Sequence, residues 1–402
     1  MLTGWIRRTL IEPKFTFNFI HLDFLQPLPG NGMYWYFFIM GVCGVGIMLG
    51  YRYRAAIIGF TVLWACVYLM QKSSYNNHYY LLMLLNIMMC FLPANRNLAL
   101  DTKLNYVKKT DWMPSWVKWA IVFQLFIVYT YASAAKFYPG WLDTTFASIL
   151  MKGRKDFFLI GDIIQQKWAH YVIAYFGILF DGLIIPALLY KRTRKIAFAL
   201  ALFFHLYNSF VLQIGIFPYL ALAFCVFFFD PKVVRKIFYP KSKKNVFSPD
   251  ISFKKNNLVI AFMSIWFIIQ IALPLRHWFI PGDVLWTEEG HRLSWRMMLR
   301  TKGGSNIFYI KESGKKHKKR VVLKDYLTKK QIRAMSGKPD MIWQFSQRLK
   351  KEYQLQGKEI EIYVRNKVSV NRSKRKPIID PKANLAEVKW NYWGHNDWVL
   401  ID

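Results

Sequence analysis

Eight apolar stretches constrain the fold of this chain more than any other feature. An α-helix needs about 20 mostly apolar residues to cross a bilayer core, so the shorter stretches at 79–93 and 216–229 are the weaker candidates. The pattern predicts a mainly α fold, a polytopic membrane helical bundle of about 8 spans. The stretches lie at 33–50, 55–71, 79–93, 117–136, 170–190, 196–213, 216–229 and 257–274.

The composition agrees with a membrane protein and not with a soluble one. The 402 residues are 54% hydrophobic and 18% aromatic, yet the formal net charge is +33. In a soluble globule so many aromatic side chains would need a very large core. In a membrane protein the apolar residues form the spans, and Lys and Arg concentrate in the loops.

The basic loops predict the orientation of the spans. Basic residues fall on alternate connections, at 52–54, 94–116, 191–195 and 230–256. The positive-inside rule places these loops in the cytoplasm. Loops 72–78 and 137–168 and the C-terminal domain then face outward from the cell membrane, although Lys152, Arg154 and Lys155 depart from the rule.

Residues 1–32 contain neither a span nor a signal peptide, because no apolar h-region follows Arg7 and Arg8. An even number of spans with an outward C-terminus also places the N-terminus outside. Either this amphipathic segment is translocated unaided, or a preceding span is absent from the chain. We favour the absent span.

Composition changes after residue 274, where we place the boundary between a transmembrane domain (1–274) and an extramembrane domain (275–402). The second domain contains 28 Lys and Arg against 13 Asp and Glu. Alternating stretches at 307–310 and 359–364 predict strands, and 338–352 predicts a helix. We expect a small, basic, β-rich domain.

The basic surplus of this domain has two explanations. Proximity to anionic lipid headgroups accounts for most of it. Attraction of an acidic, Glu-rich peptide is the alternative, because complementary charge raises encounter rates. Nucleic acid is a poor partner for a domain outside the cell membrane.

Lys136 ends the apolar run 119–135 and is the leading candidate for a catalytic residue. Desolvation disfavours an ammonium, so we expect the lysine pKa to fall. A partly neutral amine can act as a base or a nucleophile. Snorkelling of the side chain to the headgroups is an equally good explanation of its position alone.

Other polar residues interrupt the apolar stretches or directly precede one. A single such residue most often joins helices by a hydrogen bond, which is our reading of Asp181 and Gln124. Several polar residues together favour a site. They are Asn77, His78, Gln124, Asp181, His205 and Asn208.

A metal site has little support in the sequence. His78, His205 and Asp181 lack metal-ligand spacing, and Cys43, Cys66, Cys90 and Cys225 all lie in apolar segments. No metal is therefore expected. Lys, His and Asn among aromatic residues suit an aromatic, weakly acidic, lipid-soluble ligand such as a quinol.

Seven motifs recur along the chain in an order and spacing typical of one family. They are 27–29 (PLP), 48–54 (MLGYRYR), 72–81 (KSSYNNHYYL), 131–136 (YASAAK) with Trp141, 204–217 (FHLYNSFVLQIGIF), 286–287 (WT) and 294–298 (SWRMM). These motifs resemble the vitamin K-dependent γ-glutamyl carboxylase family, with its HTTM-type membrane domain. The resemblance covers the membrane region and continues past it, and Asn-Asn-His and the lysine recur in order at matching spacing.

The resemblance implies an activity and its residues. The lysine matching Lys136 deprotonates reduced vitamin K (phylloquinol or menaquinol), and the histidine matching His78 supports that step. Oxidation by O₂ then drives removal of the γ-proton of a peptide Glu and addition of CO₂, and the quinone leaves as its epoxide. The resemblance also implies quinone-binding residues, namely Asn77, His205, Asn208, Trp295 and Met298.

Departures from the family pattern leave two rivals. The family has a span before the PLP motif and a longer C-terminus, and its animal members carry tyrosines where His291 and Leu293 stand here. The absence of cysteine after Cys225 excludes a disulfide to the C-terminal domain. The rivals are a quinol epoxidase that does not carboxylate protein, and a non-enzymatic membrane scaffold or transporter.

Overall fold

The computed structural model describes residues 4–110, 113–238 and 257–401. Residues 239–256 of the predicted basic loop therefore lie outside the described part of the chain. The chain forms two compact units that alternate along the sequence. The first is Met1–Tyr106, Leu275–Leu293 and Arg300–Asp402, and the second is Val107–Pro274 and Ser294–Leu299.

The first unit contains two long apolar helices, α1 and α2, and a shorter one, α3. Helix α1 packs on α2, and α2 packs on α3. The helices of this part are α1 (Gly32–Leu49), α2 (Tyr53–Met70), α3 (Asn77–Met89) and the short α4 (Leu100–Lys103), preceded by a π-helical turn (Arg7–Ile11).

The turn between α1 and α2 depends on a glycine and a buried carboxylate. Gly50 ends α1 with φ of 61°, and a Cβ at this position would lie 2.4 Å from that of Ala99. Asp101 accepts hydrogen bonds from the backbone N–H groups of Arg52 at 2.7 Å and Tyr53 at 3.0 Å. The carboxylate therefore satisfies N–H groups at the start of α2 that have no partner within the helix.

In its described residues the second unit contains helices and connecting loops and no strand. Helix α8 packs on both α5 and α9, and α9 packs on α10. Its helices are α5 (Ser115–Ala134), α6 (Pro139–Leu142), α7 (Thr145–Lys152), α8 (Lys167–Leu189), α9 (Arg194–Phe210), α10 (Phe217–Phe224), α11 (Pro231–Phe238) and α12 (Asn257–Leu275).

The fold is mainly helical, as predicted, but the count of about 8 spans is not confirmed. Each of the eight apolar stretches contains a helix, yet only five helices in the described residues are long and apolar enough to cross a membrane. Helix α3 has 13 residues and α9 has 17. At 1.5 Å per residue α3 spans about 20 Å, less than a bilayer core. The five are α1, α2, α5, α8 and Asn257–Phe279.

The C-terminal part of the first unit is a three-stranded antiparallel sheet with helices packed on it. The strand order is β2-β1-β3. The strands predicted at 307–310 and 359–364 and the helix predicted at 338–352 are confirmed as β1, β3 and α15. Helices supply much of the core, so the domain is α+β and contains less strand than expected. Its elements are α13 (Val284–Thr287), β1 (Lys302–Glu312), β2 (Lys319–Arg320), α14 (Lys329–Met335), α15 (Pro339–Gln354) and β3 (Ile360–Val370).

One face of this sheet forms the core with α15. Phe308 in β1 lies opposite Val364 in β3, and Ile310 lies opposite Ile362; all four side chains are buried. Side chains two apart in a strand share a face. Phe345 of α15 meets Phe308 edge to face at 4.9 Å, which closes the core.

The N-terminal segment completes the same core. Phe17 is fully buried in the cluster that includes the sheet and α15. Gln344 of α15 donates hydrogen bonds to the backbone O and Oδ1 of Asn18 at 3.1 and 2.9 Å. Gln331 of α14 donates to the backbone O of Phe15 at 2.8 Å. Residues 15–18 are thus structural parts of the C-terminal fold.

Candidate functional site

Lys136 lies just beyond the C-terminal end of α5 and is buried in the second unit. It is 6% exposed, so its side chain does not reach outward as snorkelling requires. Its Nζ donates to the backbone O of Ala132 at 3.0 Å and forms an ion pair with Asp181 of α8. The nitrogen also lies 5.7 Å from the ring centroid of Trp141.

The sequence prediction treated Asp181 as a helix-joining polar residue and did not connect it with Lys136. The connection depends on a close approach of α5 and α8. Ser133 of α5 donates to the backbone O of Ile178 at 2.9 Å. Gly182 faces Ser133, and a Cβ there would lie 3.1 Å from the Ser133 Oγ. The small residue thus lets the two helices meet beside the ion pair.

His205 of α9 shares a hydrogen bond with a residue that the sequence prediction missed. Its Nε2 lies 2.9 Å from the hydroxyl of Tyr129. Tyr129 lies in α5 seven residues before Lys136, which follows the end of the helix. The missed signal was this spacing, because residues at i and i+7 share a helix face.

The other ring nitrogen of His205, Nδ1, is buried without a hydrogen-bond partner among the described residues. His205 is 1% exposed. The rings of Phe180, Phe204 and Phe217 lie 5.5–5.7 Å from the imidazole, each near perpendicular to it. A buried polar atom without a partner is costly, so Nδ1 of His205 is a candidate for a hydrogen bond to a ligand.

Met298 and Trp295 come from the short segment 294–299 that belongs to the second unit. Met298 packs on the cluster that includes Trp141, the aromatic neighbour of Lys136. Trp295 is buried, with φ of 55°. Tyr138 donates from its hydroxyl to the backbone O of Leu299, which ties the segment to the chain just after α5.

Asn208 and Gln124 are also buried in the second unit. Asn208 lies three residues beyond His205 in α9, and its backbone O accepts from the N–H of Ile214 at 3.1 Å. Gln124 accepts from the indole N–H of Trp266 at 2.9 Å. That bond joins α5 to α12 and agrees with a structural role for Gln124.

His78 and Asn77 belong to the first unit, at the start of α3. Asn76 caps this helix, accepting from the backbone N–H of Tyr79 at 2.9 Å. Asn77 accepts at 2.9 Å from the hydroxyl of Tyr75, which itself accepts from the backbone N–H of Leu293 at 2.8 Å. His78 is partly buried against the ring of Tyr79.

The first unit also contains a buried ion cluster that the sequence prediction missed. Lys72, the first residue of the 72–81 motif, is 2% exposed and lies 2.7 Å from a carboxylate oxygen of Asp340. Arg292 donates to both carboxylate oxygens of Asp340, at 2.5 and 3.2 Å. Burial raises the pKa of Asp340, but Arg292 and Lys72 outweigh it and hold that pKa well below its usual range.

A second carboxylate extends this cluster. Glu288 pairs with Arg300 and lies 3.2 Å from the Nζ of Lys302. Burial opposes its ionisation, yet Arg300 and Lys302 lower its pKa well below the usual range. Burial lowers the pKa of Lys302 to about 8 although Glu288 opposes the shift. Lysine and arginine residues far apart in the sequence thus converge on two acidic residues.

Among the described residues, no three His, Cys, Asp or Glu side chains converge in a way that could hold a metal ion. The expectation that no metal is needed stays a prediction.

Two family models match the chain in regions that cover nearly all of it. The HTTM domain matches residues 1–232, and the lumenal domain of vitamin K-dependent γ-carboxylase matches residues 255–402. No solved structure matches the chain. Both matches agree with the resemblance carried by the motifs around His78, Lys136 and Trp295. The chain therefore belongs to the vitamin K-dependent γ-carboxylase family.

Proposed function

We propose that this protein is a membrane enzyme that couples the oxidation of a reduced naphthoquinone by O₂ to the addition of CO₂ at a glutamate side chain of a peptide. Epoxide of the quinone would be the co-product. The observation that carries the proposal is the buried Lys136–Asp181 pair beside the Trp141 ring, in a chain of this family.

The second unit offers what a reduced naphthoquinone needs. The two oxygens of a reduced naphthoquinone require hydrogen-bonding groups. The Nδ1 of His205, which has no partner among the described residues, is one such group. The naphthoquinone ring requires apolar walls, which the phenylalanines around His205 supply. Asn208, Trp295 and Met298 are the further residues that we assign to quinone binding.

A bound reduced naphthoquinone would supply a weakly acidic hydroxyl and the oxidation whose free energy drives carboxylation. Lys136 is the base for that hydroxyl in our proposal. Because its Nζ is hydrogen-bonded to Asp181, the ammonium proton of Lys136 can move to the carboxylate, which leaves a neutral amine to accept the proton of the hydroxyl. The pair thus accepts one proton as a unit, and Asp181 becomes a participant in the proton transfer.

Burial of the pair also serves the chemistry that follows. Water would quench any strongly basic species formed during the reaction, and a closed apolar site excludes it. Lys136, Asp181 and Tyr129 are all buried in the second unit. The resemblance assigns His78 and Asn77 to the same reaction, and in our proposal His78 stabilises the negative charge that develops on oxygen.

The acceptor in this proposal is a glutamate-containing peptide that reaches the protein from the outer face of the cell membrane. The excess of 28 Lys and Arg over 13 Asp and Glu in residues 275–402 favours an acidic partner. Membrane lipids surround the exposed apolar helices and deliver the quinone, which is itself lipid-soluble.

One assay with two readouts tests the proposal. Purified protein receives reduced naphthoquinone, O₂, labelled bicarbonate and a Glu-rich peptide, and epoxide and fixed label are measured separately. The carboxylase predicts both products, and a matched Gln-rich peptide should give no fixed label. Epoxide without fixed label would identify a quinol epoxidase. If neither product forms, the non-enzymatic scaffold or transporter is favoured.

A further inference from the structure

Helix α11 is amphipathic, yet the described part of the chain does not bury its apolar face. Residues spaced by three or four positions share one side of a helix, which groups Val233, Val234, Ile237 and Phe238 on one face and the basic residues on the other. Every residue of α11 is at least partly exposed, with Ile237 at 67% and Phe238 at 64%. An amphipathic helix is stabilised by covering its apolar face, so α11 requires a partner.

A second basic segment lies beside α11. Phe229, two residues before α11, meets the ring of Phe198 in α9 edge to face at 5.4 Å. Phe198 lies about one turn into α9. The exposed side chains of Lys191, Arg192 and Lys195 surround the start of that helix. The starts of α9 and α11 therefore bring two sets of basic side chains together.

The surface formed by these two segments has a strong excess of positive charge. Segments 191–195 and 230–238 contain seven Lys and Arg and one acidic residue, Asp230. Arg194 donates to two backbone O atoms at the end of α8, both at 2.8 Å, and thus has a structural role. We name the rest, together with the apolar face of α11, the α11 patch. Its basic residues are Lys191, Arg192, Lys195, Lys232, Arg235 and Lys236.

The α11 patch directly follows two apolar helices along the chain. Helix α8 is long and apolar enough to cross a bilayer, and residues 191–195 come just after its end. The apolar helix Phe217–Phe228 ends shortly before α11 begins. A chain that leaves the bilayer core enters the headgroup layer, where basic side chains meet lipid phosphates and apolar side chains reach the acyl chains. Both faces of α11 match the chemistry of this layer.

We propose that the α11 patch binds anionic phospholipids, with α11 lying along the membrane surface. Its Lys and Arg side chains contact the phosphodiester groups, and Val233, Ile237 and Phe238 reach the boundary of the acyl chains. A zwitterionic lipid carries its own cation beside the phosphate, so the excess positive charge of the patch favours lipids of net negative charge. The binding depends neither on the reaction proposed above nor on the side of the membrane that the patch faces.

Lipid binding by the full chain in neutral detergent tests the chemical class of the ligand. The probes are dioctanoyl phosphatidylglycerol and dioctanoyl phosphatidylcholine, and native mass spectrometry measures the bound lipid. We expect tighter binding of phosphatidylglycerol. Each Lys or Arg near an anionic surface contributes up to about fivefold, so a triple Gln variant of the patch should bind it about 10- to 100-fold more weakly. The triple variant is Lys195→Gln, Lys232→Gln and Lys236→Gln.

A second triple variant controls for net charge. It replaces three exposed basic residues of the C-terminal domain, Lys316, Lys374 and Arg375, by Gln. All six positions are exposed, so both variants should keep the melting temperature of the wild type. Equal weakening by both variants, or equal binding of the two lipids by the wild type, would overturn the proposal.

The position of α11 is tested in nanodiscs that contain phosphatidylglycerol. An environment-sensitive fluorophore on Ile237→Cys should be quenched by a spin label on the lipid acyl chain and protected from aqueous iodide. The matched control is Lys236→Cys on the polar face, which should show the reverse pattern, and the unsubstituted protein measures background from its four cysteines. Quenching of the Ile237→Cys label by iodide would overturn the proposal. Protection from both quenchers would do so too, because a protein surface would then cover this face.

Discussion

At the scale of single residues, the pairing of Lys136 with Asp181 changes what a lysine variant can reveal. Lys136→Ala should abolish quinol oxidation, but it also leaves a buried carboxylate alone, which destabilises proteins by about 3–5 kcal/mol. The double variant Lys136→Met with Asp181→Leu removes both charges and should regain most of the melting temperature without regaining activity. Epoxide formation by the double variant would end the assignment of Lys136 as the base.

Asp181→Asn separates the proton-accepting role from that of a counter-ion. The amide keeps the size and one acceptor oxygen but cannot take up a proton. In our proposal quinol oxidation then falls strongly, whereas Gln124→Leu, which breaks the bond between α5 and α12, affects mainly the melting temperature. Normal turnover in a folded Asp181→Asn protein would limit Asp181 to charge compensation.

His78 should act on turnover more than on binding. Loss of one donor to developing negative charge costs about 2.7–4 kcal/mol, so His78→Ala should slow kcat about 100- to 1000-fold. Melting temperature and quinone binding should stay near those of the wild type. A change confined to KM would mean that His78 contributes equally to ground-state and transition-state binding.

Lys338 provides a pH dependence whose sign follows from its pKa. The folded pKa of about 8 lies below the ordinary value of 10.5, so between these values the unfolded chain binds more protons. Stability therefore rises with pH across this window, and the cost of the buried ammonium is fully present below pH 8. The melting temperature of wild type minus that of Lys338→Met should increase from pH 8 to 10.5. Parallel curves would contradict this.

The residues themselves were predictable from the sequence, but their pairings were not. Lys136, Asp181 and His205 stand out because each interrupts an apolar stretch. Their partners lie on other helices, and spacing along one chain carries no information on which helices pack together. Tyr129 was missed for another reason. A tyrosine in an apolar, aromatic-rich helix does not stand out in the sequence, and its hydrogen bond to His205 depends on the packing of the helices.

At the scale of elements, hydrophobic periodicity identified the helices better than it counted the spans. The stretches that contain α3 and α10 are helical but short. Composition therefore predicted that these elements are helices but not whether they are long enough to cross a bilayer. The two long strands and α15 were predicted because alternation and amphipathic spacing are local. The sequence did not place the segment 294–299 in the second unit, because that placement depends on contacts with distant residues such as Tyr138.

The orientation of the elements remains a prediction that labelling can test. Cysteines introduced at Arg192, in a basic loop, and at Lys316, in the C-terminal domain, are both exposed. A membrane-impermeant maleimide applied to intact cells should label Lys316→Cys, and Arg192→Cys only after the membrane is opened. The parent protein measures background from the four native cysteines. The reverse pattern would place the basic domain in the cytoplasm.

At the scale of the whole molecule, the N-terminal segment and the C-terminal domain form one folding unit. Phe17→Ala should destabilise this unit by about 3–5 kcal/mol, the usual cost of truncating a buried phenylalanine. The matched control is Phe24→Ala in the same segment, where the side chain is 77% exposed. Thermal unfolding in detergent measures both. Equal melting temperatures for the two variants would refute the role of Phe17 in the core.

Burial of Phe17 also sets an order of events during synthesis. The segment that contains Phe17 leaves the ribosome before the strands and α15 that enclose it. Until those elements are made, an apolar side chain and the backbone around it lack their partners, and closing so long a loop is slow. Folding of this unit is therefore expected to include a late step in which residues 15–18 join the sheet and α15.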